Sequence, residues 1–226
     1  MWQALRTELH PGLEIVTVAL DTAGADAARP WIERANPDHP SLIDEAHVLD
    51  ELLGVVNVPM GVWVDENGMI VRPAEPAFPR RQKTDRPIPE DLPQQFKDML
   101  EEARKVQTEP EKYVNALRDW VANGPASPYA LTPEQVVEKS RPRTADHARA
   151  AACFELAQHL HRNGHADDAV RWFREAHRLQ PDNWTYKRQA WTFADPFQGR
   201  TDTYDGSWLD DVRAIGAENY YEPLDM

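Results

Sequence analysis

Residues that could carry redox chemistry are scarce in this chain. Cys153 is the single cysteine, so no disulfide forms within the chain and no dithiol cycle runs on it alone. A thiol becomes a thiolate at neutral pH beside basic groups or a helix N-terminus, and the sequence places neither next to Cys153. We interpret Cys153 as a small buried hydrophobic residue. The alternative is a reactive thiol that resolves an adduct formed elsewhere.

A cluster of histidines suggests metal chemistry at first sight. His159, His161 and His165 lie close in sequence to Asp167 and Asp168. Metal ligands must converge, whereas this spacing across a helix end points the side chains in different directions. A solvated turn is therefore favoured over a zinc site, and we expect no metal and no cofactor.

Two acidic pairs have the residue types of a general acid and base. Asp44-Glu45 and Asp50-Glu51 lie near a short apolar pattern, but no pocket or partner is implied beside them. We expect them on the solvent-facing side of a short helix. Trp63 lies on an alternating segment and faces either the core, which is favoured, or a substrate groove.

Composition argues against several kinds of partner. The chain carries 25 basic and 38 acidic side chains, a net charge of −13, and such a surface repels the phosphates of nucleic acids. The longest apolar runs, such as Val62 to Val64, are far shorter than the roughly 20 residues that span a bilayer. No export signal is visible, so the compartment is unknown and the cytoplasm is favoured for the chain as given.

The first 75 residues alternate strand and helix patterns. Leu13 to Leu20 is almost continuously apolar, which predicts a central strand covered on both faces of a largely parallel sheet. A helix over 25–35 should follow, closed by Asn36-Pro37. The pattern then predicts a short helix ending at Gly54, a strand over 58–64, a tight turn over 65–68 and a returning strand over 69–71.

The rest of the chain is predicted to be helical after a proline-rich connector. Six prolines lie between Arg72 and Pro93, a composition that resists helix and central strand. Capping boxes beginning at Thr108 and Thr132 predict two helix starts. We divide the chain into a partial α/β domain (1–75), a connector with the start of the helical region (76–110) and a helical domain with an aromatic tail (111–226).

Two helices over 144–181 resemble one tetratricopeptide repeat. The residues at that repeat's spacing are Leu156, Ala157, Leu160, Gly164, Ala169, Phe173, Ala176 and Pro181. One repeat does not bury its own face. We therefore expect a capping helix with Trp184, Tyr186 and Trp191, helices over 114–139 on the other side, and a docked aromatic tail. The resemblance implies a protein or peptide partner in the groove of the repeat.

The order of elements over 1–75 resembles the second half of a thioredoxin-fold domain. The match is to the ResA/TlpA-like and AhpC/TSA-related oxidoreductases, and it is carried by the apolar strand, the helix ending at Gly54, Asn57-Val58-Pro59 and the strands around Asp65-Glu66-Asn67-Gly68. The resemblance implies that the Val58–Pro59 bond is cis and that both residues position a substrate backbone. From the residues alone, Pro59 is equally a proline at the first position of a strand.

The family's reactive Cys-x-x-Cys motif is missing from this chain. In the family it begins the helix before the first matching strand, where the helix N-terminus lowers the thiol pKa. Trp2, Leu5 and Leu9 look like the end of that helix. We expect no catalytic residue within the chain and a reading frame that extends upstream of Met1. Overall similarity favours the branch with the motif Trp-Ala-x-x-selenocysteine-Gly-x-x-Cys, whose selenocysteine codon can be mistaken for a stop.

The sequence thus predicts an N-terminally incomplete α/β thioredoxin-like fold followed by an all-α tetratricopeptide-like region. The resemblance implies a thiol or selenol oxidoreductase acting on disulfides or peroxides, with its redox motif upstream, so this chain alone should be inactive. The family's missing strand lies between those matching 13–20 and 60–64, and its absence leaves two edges facing a gap. The alternative is a non-enzymatic interaction module with an inert redox fold and a peptide-binding groove.

Overall fold

The computed structural model describes residues 2–80, 87–140 and 142–226. The middle of the predicted connector, residues 81–86, lies outside the described part. In chain order the elements are α1 (Trp2–Leu9), β1 (Thr17–Leu20), α2 (Ala25–Ala35), β2 (Ser41–Asp44), α3 (Val48–Leu53), β3 (Met60–Val64), β4 (Ile70–Pro76), α4 (Gln94–Ala103), α5 (Pro110–Asn123), α6 (Pro133–Ser140), α7 (Ala145–Arg162), α8 (Ala166–Leu179), α9 (Trp184–Ala194) and α10 (Trp208–Ile215).

Local sequence signals set the ends of the N-terminal helices. α2 covers the predicted range and ends at Asn36, which adopts a left-handed φ of 42°. α3 ends at Gly54, whose φ of 70° is accessible to glycine at little cost and lets its N–H bond to the carbonyl of Asp50. The predicted succession of helix, short helix and hairpin is confirmed for these elements.

The expectation of a central first strand is wrong in this structure. β1 has only four residues and pairs in parallel with β2 alone, with Thr17 opposite Ser41 and Leu20 opposite Asp44. None of its residues is buried, and Val16 just before it is 52% exposed. The run is not a central strand in the described part of the chain, because β2 alone pairs with it.

β3 and β4 form a separate antiparallel hairpin with Met60 opposite Pro76 and Val64 opposite Ile70. β4 continues through Pro73, so the expectation that the proline-rich segment contains no strand is wrong at its beginning. A two-stranded sheet has only edge strands, where a residue without an N–H group is tolerated.

Two hydrophobic cores hold the molecule together. The helical core joins α7 to α10 and includes Phe154, Phe173 and Trp191. The hairpin core joins α1, β3, α5 and the C-terminal residues, and includes Trp63 and Leu224. Residues 1–75 therefore share their core with residues from the helical part of the chain. Trp63 is 3% exposed, which confirms the favoured core position.

The downstream helices differ from expectation at two points. α5 begins at Pro110 with Glu109 as its N-cap residue and no side-chain capping bond, so the capping box at Thr108 is wrong. Proline fits the first turn of a helix, where its missing N–H is not needed, and it sets the start here. α5 and α6 pack on the hairpin instead of beside the repeat-like pair, because the apolar face of α5 belongs to the hairpin core.

Two other helical predictions are confirmed. The N–H group of Gln135 donates to Thr132 Oγ1 at 3.3 Å and the N–H group of Thr132 donates to Gln135 Oε1 at 2.9 Å, which is a reciprocal capping box. The predicted capping helix is α9, whose buried Trp184, Tyr186 and Trp191 lie in the helical core.

Candidate functional site

Residues 55–59, here called the proline loop, connect α3 to β3. The N–H group of Val55 donates to the carbonyl of Asp50 at 2.8 Å, so the loop starts directly from the end of α3. The Val58–Pro59 peptide bond is cis, which is the isomer that the resemblance implies. Asn57 is buried, whereas Val58 and Pro59 are half-buried. Pro59 is therefore partly accessible to solvent, whereas the polar side chain of Asn57 in the same loop is buried.

The start of α9 clamps one side of the proline loop. The first N–H groups of a helix have no partner within the helix. Here the N–H groups of Trp184 and Thr185 both point to the carbonyl oxygen of Val56, at 2.7 and 3.3 Å. Trp184 is itself part of the helical core. The position of the loop is consequently tied to the position of α9.

The C-terminal residues clamp the other side. The Tyr221 hydroxyl donates to the carbonyl oxygen of Val58 at 2.6 Å, and Asn57 Nδ2 donates to the carbonyl of Tyr220 at 3.1 Å. Asn57 Oδ1 accepts the N–H group of Val58 at 2.9 Å. Both backbone polar groups of Val58 are thus engaged within the chain.

The segment 220–224, here called the strap, is anchored at both ends. Tyr220 packs edge-on against Trp184, with ring centroids 4.6 Å apart, inside the helical core. Leu224 lies in the hairpin core, and its N–H group donates to Glu109 Oε2 at 2.8 Å. Between the anchors the strap borders a cavity of about 230 Å³. Tyr221, Glu222, Pro223 and the anchor Leu224 all line this cavity.

Tyr221 lies in the middle of the strap and borders this cavity. Its ring meets Phe78 edge-on, with the centroids 5.0 Å apart. Burial raises the pKa of Tyr221 above the ordinary tyrosine value, and the neighbouring Tyr220 adds to the effect. The hydroxyl therefore stays protonated and remains a donor to Val58 across the physiological range.

A buried polar network lies behind the loop and joins α3 to the helical region. His47 Nδ1 is 2.9 Å from Asp50 Oδ2, and His47 Nε2 is 3.3 Å from Gln189 Oε1. The same glutamine oxygen accepts the N–H group of Thr22 at 3.0 Å, and the Thr22 hydroxyl donates to Gln158 Oε1 at 2.7 Å. Both ring nitrogens of His47 thus face oxygen atoms, and the ring links Asp50 of α3 to Gln189 of α9.

The expectation that the acidic pairs face solvent is wrong for Asp50, which is 1% exposed. Asp50 faces inward, where its Oδ2 lies 2.9 Å from His47 Nδ1. Asp44 Oδ2 accepts the N–H group of Leu49 at 2.7 Å and so satisfies a free donor at the start of α3. Glu51 forms an ion pair with Arg143. These contacts give the carboxylates structural partners instead of an acid and base pair.

β1 and β3 belong to two separate two-stranded sheets, and among the described residues no strand pairs with the second edge of either strand. A groove of about 690 Å³ lies where the residues before β1 approach the turn between β3 and β4. It is lined by Gly12, Leu13, Glu14, Val64, Asp65, Glu66, Met69, Ile70, Val71, Trp120, Val121, Gly124, Pro125, Ala130, Leu131, Thr132 and Pro133. Val64 and Met69 are about half exposed there, so the groove presents apolar side chains to solvent.

The remaining candidates lie apart from the loop. Cys153 is partly buried against the helical core, and burial together with Glu175 raises the pKa of its thiol, which disfavours a thiolate. His161 stacks on Phe193, whereas His159 is exposed. The described residues contain no group of three or more His, Cys, Asp or Glu side chains placed to hold a metal ion.

Sequence reasoning missed the partners of the loop. Tyr221, Gln189 and Trp184 are more than 120 residues away from it in sequence, and no local pattern links them. The density of aromatic residues near the C-terminus was the one available signal, since it predicted a docked tail. Which surface the tail docks on depends on the tertiary fold.

Comparisons with known proteins return no relative: no protein-family model, curated protein or solved structure matches the chain. None of the described helices combines the length and apolar character needed to span a membrane.

Proposed function

We propose that this chain is part of a thioredoxin-like thiol or selenol oxidoreductase that acts on disulfides or peroxides, with its reactive sulfur or selenium in a segment upstream of Met1. The observation that carries the proposal is the pair of separate two-stranded sheets, in which β1 and β3 each have one edge without a partner strand among the described residues. On this proposal the 226-residue chain alone is inactive.

The physical chemistry of the sheet edges supports a missing strand. Unpaired N–H and C=O groups along a strand need partners, and exposed edges invite pairing with another strand. Val16 beside β1 and Val64 at the end of β3 are both about half exposed. One additional strand between β1 and β3 would satisfy the N–H and C=O groups of both edges.

The proposed chemistry assigns this chain a positioning role. A thiolate or selenolate attacks one atom of a disulfide or peroxide, and the other atom leaves with the electron pair of the broken bond. A second thiol then attacks the resulting adduct, forms an intramolecular bond and releases the reduced substrate. Val58 and Pro59 form one wall of that site, with Val58 held by Asn57.

The alternative, a non-enzymatic interaction module with an open peptide groove on the repeat-like pair, has weaker support. Phe154 and Gln158 of α7 are buried and contact His47 and Thr22 of the N-terminal region. This face of α7 is therefore already covered by the same chain.

Activity of the upstream-extended protein tests the proposal. Dithiothreitol-driven reduction of insulin disulfides and thiol-dependent consumption of hydrogen peroxide are measured for the extended protein, for its nucleophile→Ser variant and for the 226-residue chain. We expect turnover in the first alone. Equal inactivity of all three would overturn the oxidoreductase proposal and favour the interaction module, as would an upstream sequence without a reactive Cys or selenocysteine motif.

A further inference from the structure

The strap crosses the proline loop at the residue that is proposed to meet the substrate. Its anchors, Tyr220 and Leu224, lie in the two hydrophobic cores. Tyr221 lies between them beside the 230 Å³ cavity and is only half-buried. When its side chain moves away from Val58, the anchors can stay in their cores, and the move gives up the ring contacts with Phe78 and Tyr220.

The contact between Tyr221 and Val58 uses a group that an extended polypeptide also requires. A polypeptide that binds alongside another backbone does so through N–H groups donated to carbonyl oxygens and carbonyls that accept N–H groups. The N–H group of Val58 donates to Asn57 Oδ1, whereas the carbonyl oxygen of Val58 accepts a hydrogen bond from the strap. A carbonyl oxygen accepts up to two hydrogen bonds, and the Tyr221 hydroxyl takes one of these positions at 2.6 Å.

We infer that Tyr221 competes with an extended polypeptide substrate for the carbonyl oxygen of Val58, so that the strap restrains substrate binding at the proline loop. This inference rests on the proposed function, in which Val58 and Pro59 position a substrate backbone. Tyr221 is a gating residue in this scheme and takes no part in the sulfur or selenium chemistry.

The size of the effect follows from the single bond that is exchanged. A neutral hydrogen bond changes a binding constant by about threefold to tenfold. Removing the Tyr221 hydroxyl leaves the Val58 carbonyl without that donor, while a phenylalanine keeps the ring contact with Phe78. Tyr221→Phe should therefore strengthen polypeptide binding by about threefold to tenfold without disturbing the fold.

Carbonyl NMR on the full 226-residue chain measures this competition. Val-Pro occurs once in the sequence, so ¹³C-carbonyl valine with ¹⁵N-proline labels the Val58–Pro59 bond uniquely. Carbamidomethylated insulin B chain, which is unfolded and unable to exchange disulfides, serves as the probe. Tyr204→Phe removes a hydroxyl from the helical core and is the matched control.

We expect Tyr221→Phe, but not Tyr204→Phe, to shift the Val58 carbonyl resonance before any peptide is added. Added peptide should shift this resonance further, and in Tyr221→Phe the shift should saturate at about one third to one tenth of the peptide concentration that the parent chain requires. An unchanged resonance in Tyr221→Phe would refute the competition. So would equal peptide affinities in parent and variant, although the positioning role of Val58 would then stand. Failure of the peptide to perturb Val58 in either protein would overturn that positioning role, and the competition with it.

Discussion

Replacing Arg72 with methionine tests whether a buried charge pair stabilises the junction of the hairpin, the segment before α6 and the C-terminal residues. Arg72 is 1% exposed and binds both oxygens of Glu75, with Nε to Oε1 at 2.5 Å and a terminal nitrogen to Oε2 at 3.1 Å. The same guanidinium donates to the carbonyls of Tyr129 at 3.0 Å and Asp225 at 2.8 Å. It therefore joins β4 to two distant parts of the chain.

The expected cost follows from the charge that remains. Glu75 is only 6% exposed, so methionine leaves a buried carboxylate without its partner, which costs about 3–5 kcal/mol. The carbonyl of Asp225 keeps a second donor in Lys139. Arg72→Met combined with Glu75→Leu removes both charges and should lie within about 2 kcal/mol of the parent, because an ion pair and an apolar pair of similar volume are often nearly equivalent.

Urea unfolding followed by tryptophan fluorescence measures these differences, since Trp63 stacks on Trp120 in the hairpin core at 5.0 Å. Arg171→Met, at an exposed arginine of α8, is the matched control and should change stability by less than about 0.5 kcal/mol. A loss below about 1 kcal/mol for Arg72→Met, or a double variant as unstable as the single one, would refute the assigned role of the buried charge pair.

Three further predictions follow from other contacts. A Cβ at Gly61 would come within 2.5 Å of the Tyr113 hydroxyl and 3.0 Å of the Ala77 Cβ, so Gly61→Ala should lower stability by about 1–3 kcal/mol, and an unchanged melting temperature would contradict the close packing. Asp50→Ala leaves Nδ1 of the buried His47 without its hydrogen-bond partner and should cost about 1–3 kcal/mol in urea unfolding; a loss under about 0.5 kcal/mol would show that the network is dispensable. Burial lowers the pKa of His177 to about 4, whereas the unfolded-state pKa is near 6.5. Between these two pH values the unfolded chain binds a proton at His177 and the folded chain does not. Stability should fall by about 3 kcal/mol as the pH drops from 6.5 to 4, and His177→Gln, but not the exposed His159→Gln, should reduce that slope in pH-dependent unfolding.

Local sequence patterns predicted the secondary structure well where the signal is local. The helix over 25–35, the stop at Gly54 and the Thr132 capping box depend on residues within a few positions of each other, and all three are present. Periodicity also favoured a buried Trp63, which is confirmed.

The sequence did not predict what depends on distant residues. The run over 13–20 has the composition of a central strand, yet its burial depends on neighbours that the described residues do not supply, so β1 is short and half exposed. Asp50 was expected in solvent because its partner His47 is itself held in a buried network by Gln189, which lies 142 residues away in sequence. The contact of Tyr221 with Val58 spans 163 residues and leaves no local pattern.

A structure of the upstream-extended protein is the most direct test of the proposed fold. The proposed fold requires an upstream strand that lies between β1 and β3 and forms backbone hydrogen bonds with both. The reactive sulfur or selenium should then lie next to Val58 and Pro59. Two results would contradict the proposed fold. In one, β1 and β3 pair directly with each other; in the other, the upstream residues fold elsewhere and no strand lies between β1 and β3.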